Sequence, residues 1–137
     1  LIKAWSSTQP GQALSSGEAE VVGVTRAAAV ALGFRSLLAD YGAVTVQGRV
    51  WTDSSAAIGI CKRQGLGRVR HLATADLWLQ QRVKARELLL FKVPGKDNPA
   101  DVFTKHKSLP EILRFMKMMG VGTRPGRPKL APCRVQN

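Results

Sequence analysis

The sequence predicts an α/β fold. Three observations carry that expectation. Strand-like and helix-like stretches alternate in the order strand, helix, strand, helix, helix, strand, helix. The apolar run RVWTD ends on Asp53 just before a helix start, as loops at the carboxyl edge of an open α/β sheet do. Helix starts are marked by S-x-x-E capping boxes at Ser15/Glu18 and Ser108/Glu111.

The elements follow in order. LIKAW reads as a short strand and TQPGQ as the turn after it. SSGEAEVVGVTRAAAVALGFRSLLADYG is a long helix, capped by Ser15 and stopped by Gly42. AVTVQGRVWTD is the next strand, with a bulge expected at Gly48. SSAAIGICKRQG is a short helix, capped by Ser54 or Ser55 and ended by Gly65. GLGRVRH is a basic loop. LATADLWLQQRVKARE is helical, with Leu72, Leu79 and Val83 on one face. LLLFKVPG is a buried strand stopped by Pro94 and Gly95. KDNPADVFTK is a loop leading into a helical turn. SLPEILRFMKMMG is an amphipathic helix with Pro110 in its first turn. The remainder, residues 121–137, is rich in Pro, Gly and Arg without periodicity, and reads as a disordered basic tail. Trp51 and Trp78 are expected in the core.

Composition narrows the function. The 137 residues suffice for one domain with a core. With 21 Lys and Arg against 9 Asp and Glu, the net charge is +12, which favours a polyanionic partner, nucleic acid above all. No run reads as long and apolar enough to span a bilayer, and no signal-peptide pattern opens the chain, so no membrane partner is expected. Cys61 and Cys133 make neither a disulfide framework nor a zinc site. An intracellular, reducing setting is expected, in a cytoplasmic particle or the nucleus. The chain opens at Leu1 inside a strand-like run, so a piece of something longer is expected.

Three carboxylates stand where a core would not want them. Glu18 and Glu20 lie about 200° apart around their helix. Glu18 shares its side with Thr25, Gly33 and Ser36, a solvent-like face. Glu20 shares its side with Val24, Ala27, Ala31 and Leu38, which should face the sheet, where a lone carboxylate is costly. Asp53 ends a strand. Asp101 follows LLLFKVP by a short loop, with Asp97 competing as a turn residue. Each of the three also has a plain structural explanation, as a helix-start or turn residue. Together they can converge on one sheet edge, where gathered carboxylates bind Mg²⁺. Two such ions about 4 Å apart activate water and stabilise the leaving oxygen in phosphodiester hydrolysis.

In combination and order, QALSSGEAEVVGV, VWTDSSAAI, RVRHLATADLWLQQRV and FKVPGKDNPADVFTK resemble the ribonuclease H domain of copia-type retrotransposon polyproteins, over about residues 1–120. The resemblance implies a ribonuclease H-like mixed sheet flanked by helices, and cleavage of the RNA strand of an RNA–DNA hybrid with two Mg²⁺ ions, Mn²⁺ being a possible substitute. It implies metal-ligand roles for Glu20, Asp53 and Asp101. It leaves Lys62, Arg63, Arg68, Arg70 and His71 as candidate contacts to the hybrid. It divides the chain into a partial domain over 1–107, a helix over 108–120 and a tail over 121–137.

Two departures matter. The family's first strand, with its bridging Asp, and its second strand have no counterpart here. The chain is therefore expected to be an incomplete domain, inactive and poorly folded alone, with an upstream reverse-transcriptase region as its partner. Ala73 stands where the family often has an Asp, with Asp76 one turn later. The alternatives are a nucleic-acid-binding remnant without catalysis, a decayed relic in a host gene, and an integrase-like nuclease, against which the S-S-x-E-A-E and A-D-x-x-T-K segments speak.

Overall fold

A computed structural model describes residues 3–9, 13, 15–42, 46–65, 74–123 and 125–126. It divides into two compact units: Ser7–Asn98, and Pro99–Asn137 together with Leu1–Ser6.

The larger unit holds α1 (Ser16–Asp40), β1 (Gly48–Thr52), α2 (Ser55–Lys62), α3 (Thr74–Lys84) and β2 (Leu88–Lys92), followed by a 3₁₀ turn at Gly95–Asp97. The strands pair in parallel, Gly48 opposite Leu88 through Thr52 opposite Lys92. A parallel pair needs a crossover, and α2 and α3 supply it. The α/β class is therefore present, as helices around a two-stranded sheet among the described residues. The strand expected at LIKAW is absent from Lys3 to Gln9.

One sheet face is buried by helices. Val50, Leu88 and Leu90 pack with Val21, Val24 and Ala28 of α1, Ala57 and Cys61 of α2, and Leu79 of α3. Each fully buried Val or Leu contributes about 1.5–3 kcal/mol over an exposed one. Gly48 makes no bulge; it lies in regular register opposite Leu88. It is glycine because a Cβ there would stand 3.0 Å from Leu88 Cδ1 and 4.0 Å from Ala31 Cβ. The missing Cβ leaves room for the Leu88 side chain of the paired strand.

The opposite face corrects two expectations. LLLFK is buried only on alternate residues, and Phe91 is exposed. Trp51 is 53% exposed and stacks on Phe91, ring centroids 5.1 Å apart. Strand alternation is the reason: Arg49, Trp51, Leu89 and Phe91 point away from the helices. Trp78 does pack against the core, half-buried.

α1 is, against the reading of the sequence, long and apolar enough by length and composition to cross a membrane. Its Val21, Val24 and Ala28 serve the core described above. Ser15 Oγ accepts the Glu18 N–H at 3.2 Å to start the helix, and Gly42, at φ +69°, lies just past its end. Leu37, Leu38 and Tyr41 of its last turns are exposed. α3 ends with Arg86 in the left-handed region, φ +56°, where Glu87 N–H reaches Arg82 O and Arg86 N–H reaches Val83 O.

In the other unit a 3₁₀ helix (Pro99–Phe103) precedes α4 (Leu109–Met118). The expected capping box forms: Glu111 accepts from the Ser108 N–H at 3.0 Å and its hydroxyl at 2.7 Å. These bonds, and Lys107 beside them, hold the Glu111 carboxyl below its ordinary pKa. Phe115 is buried, with the Arg114 guanidinium 4.6 Å from its ring centroid.

Candidate functional site

Asp53 leaves the carboxyl end of β1 as the sequence predicts. It is not the helix cap. Ser54 takes that role, its Oγ accepting the Ala57 N–H at 3.1 Å, while the Ser54 N–H donates to Thr52 Oγ1 at 3.2 Å. Asp53 is thereby left half-buried, and among the described residues its carboxylate has no hydrogen bond or ion pair. The turn after β2 lies over it: a Cβ on Gly95 would stand 3.5 Å from Asp53 Oδ2. Val93 N–H donating to Thr52 O at 3.0 Å holds that turn against the strand end. Lys92 Nζ donates to Ser55 Oγ beside it.

Glu20 departs from expectation. It is exposed, and Glu18 is the half-buried one. At about 100° per residue the two glutamates flank the buried stripe of Val21, Val24 and Ala28 on either side. Thr25, expected on a solvent face, donates instead to Asp76 Oδ1 at 3.1 Å. The first turn of α1 also meets α2 rather than the sheet, since a Cβ on Gly17 would stand 3.3 Å from Ala56 Cβ.

Asp101 belongs to the other unit. It is buried, 8% exposed, with Lys105 Nζ at 2.9 Å and Lys107 Nζ at 3.7 Å on its two oxygens. Among the described residues no three His, Cys, Asp or Glu side chains gather closely enough to hold a metal ion. The carboxylates placed here do not by themselves make a Mg²⁺ site.

Of the candidate nucleic-acid contacts, Lys62 is exposed in the last turn of α2. Arg63 is half-buried and caps that helix, its N–H donating to Gly59 O at 3.3 Å. Arg68, Arg70 and His71 lie outside the described residues.

Two polar residues on α3 are buried, Asp76 in a role the sequence reading did not assign it and Gln80 outside that reading altogether. Asp76 joins α3 to α1 through Thr25 and stands close enough to Cys61 to act on its thiol. Burial first, and the Asp76 charge second, push the Cys61 thiol up to about 11. Gln80 is a clamp: its Oε1 accepts the Gly65 N–H at 2.9 Å, and its Nε2 donates to Ile60 O at 2.9 Å and Gly65 O at 3.1 Å. It fixes the point from which the basic loop departs. The available signal was the spacing of Asp76 and Gln80, four apart on the same stripe as Leu79 and Val83.

Comparison with known proteins bears on origin. The chain is 29% identical over 101 residues to the retrovirus-related Pol polyprotein from transposon TNT 1-94 of Nicotiana tabacum. That likeness supports a retrotransposon-derived protein. It covers 73% of this chain and 8% of the polyprotein. No family model and no solved structure matches.

Proposed function

We propose that this chain is the carboxyl-terminal part of a ribonuclease H-like domain of a copia-type retroelement, acting on RNA–DNA hybrids within a longer polyprotein. The observation that carries the reading is Asp53: a half-buried carboxylate at the carboxyl end of a parallel strand, with no partner among the described residues and a glycine turn over it. Such a carboxylate stands where open α/β sheets gather their functional groups. The likeness to a retrotransposon polyprotein supports the same origin.

In this reading hydrolysis belongs to the assembled domain. Glu20, Asp53 and Asp101 are the carboxylates this chain brings to that domain, and the upstream segment adds its own, together with the neighbouring strands of β1. This chain by itself binds the hybrid, through Lys62, Arg63 and the loop carrying Arg68, Arg70 and His71, and does not cut it. The rival reading, a binding remnant without catalysis, draws on one observation: Asp101 is already neutralised by Lys105 and Lys107.

The test is cleavage of an end-labelled RNA–DNA hybrid in Mg²⁺ and in Mn²⁺. The chain alone is expected to be inactive, and the chain extended by its upstream segment to cleave, with Asp53→Asn abolishing the activity. Cleavage that survives Asp53→Asn removes Asp53 from the site. An extended chain that binds the hybrid but never cuts favours the remnant.

A further inference from the structure

Between the carboxyl-terminal halves of α1 and α3 lies an open cleft of about 480 Å³. Glu87, at its edge, immediately precedes β2, so the cleft sits at the end of the sheet opposite Asp53. Leu32 and Trp78 form its apolar floor, and Arg35, Ser36 and Arg82 its polar rim.

The two arginines are held but not used up. Arg82 Nη1 meets both Glu87 oxygens, at 3.1 and 2.9 Å, and its guanidinium lies over Trp78, 5.7 Å from the ring centroid. Arg35 Nη1 donates to the Glu87 carbonyl at 3.2 Å. Each guanidinium has five N–H donors. The Nε and Nη2 donors of both have no protein partner among the described residues. Glu87 is the carboxylate lining the cleft, and Arg82 already offsets it. Among the described residues Arg35 is therefore left as uncompensated charge in the cleft.

We propose that this cleft is a second nucleic-acid contact, taking a backbone phosphate of a strand on Arg35 and Arg82, with the adjoining sugar or base against Trp78. Fixed guanidinium forks match phosphate geometry. An aromatic floor beside cations is the usual platform for a nucleic-acid strand. The net charge of +12 gives that ligand the long-range preference. The site is separate from the carboxylate end and takes no part in hydrolysis.

The test is fluorescence anisotropy of the whole chain with a labelled 12-nucleotide RNA, single-stranded and as an RNA–DNA hybrid, across a salt series. Arg35→Gln is expected to weaken binding of the single strand by about tenfold at low salt and to reduce the salt slope by about one. Arg35→Lys, which keeps the charge and loses the fork, is expected to fall between. Circular dichroism shows whether each variant is folded, and Arg35→Lys against Arg82→Lys serves if Arg35→Gln is not. Affinity and slope unchanged in the folded variants overturn the proposal. So does displacement of the RNA by polyglutamate as effectively as by unlabelled RNA, which points to an acidic protein instead. Failure of the hydrolysis reading shows separately, in the cleavage assay of the extended chain and its Asp53→Asn variant, which does not depend on this cleft.

Discussion

Cys61 and Arg86 each carry a local cost or gain that a single substitution exposes. The Cys61 thiol is raised from 9.0 to about 11 in the folded chain. Its neutral form is thus favoured by folding, so the stability it contributes is complete below the unfolded pKa and is lost as pH rises through the folded one. Denaturant midpoints measured from pH 8 upward are expected to fall between about 9 and about 11, and to fall less steeply in Cys61→Ala. Arg86 occupies a left-handed backbone position at the end of α3. Arg86→Gly removes a steric cost of about 1 kcal/mol while keeping the carbonyl that accepts from Gln47 Nε2 at 3.2 Å. A rise in the urea midpoint checks it; no rise means the turn is unstrained. At this scale the sequence identified Asp53 correctly as a strand-end residue but misplaced Glu20. Helical periodicity gives angles, not the edge of a stripe, and both glutamates fall on an edge.

α3 shows how an element can anchor what it does not contain. Gln80 satisfies three backbone groups, on Gly65 and Ile60, at the root of the basic loop. Gln80→Ala removes these three hydrogen bonds and is expected to cost about 1–3 kcal/mol. It should also weaken hybrid binding more than Gln81→Ala on the exposed side, since only the former frees Gly65 and the end of α2 that carries Lys62; equal effects in an anisotropy titration would separate the clamp from binding. Element existence was legible throughout the larger unit: helices from their caps, strands from β-branched and apolar runs. Boundaries were not. β1 starts at Gly48, not at residue 43, and the expected bulge is a regular pair. A glycine in a strand signals either a bulge or a close neighbour, and only the neighbour, the Leu88 side chain on the paired strand, decides between them. The capping box of α4, by contrast, is a local motif and was readable in full.

For the larger unit as a whole, the imbalance between sheet faces dominates. Helices cover one face, while Trp51 and Phe91 stack in the open on the other. Two strands with an apolar face are marginal without cover. The isolated chain is expected to self-associate with concentration, and a Trp51→Lys/Phe91→Lys pair to shift it toward monomer in sedimentation or light scattering. A wild-type chain that stays monomeric would mean the face is harmless as it stands. Such a face was invisible in the sequence because LLLFK and RVWT are apolar enough to be buried on both sides. The candidate site was legible only in part: Asp53 is placed by its own strand and cap, and the Asp101–Lys105 pair has i,i+4 spacing, whereas the exposure of Glu20 and the contact of Lys107 with Asp101 follow from no spacing rule.

The parallel register of β1 and β2 has a consequence for synthesis. Gly48 cannot pair until Leu88 has been made, and everything in α2 and α3 must first be translated. A nascent chain emerging amino-terminus first therefore exposes α1 and the Val50–Trp51 strand while their partner is still inside the ribosome. The window closes only with the last residues of β2, which makes LLLFK the segment whose arrival commits the whole unit to fold.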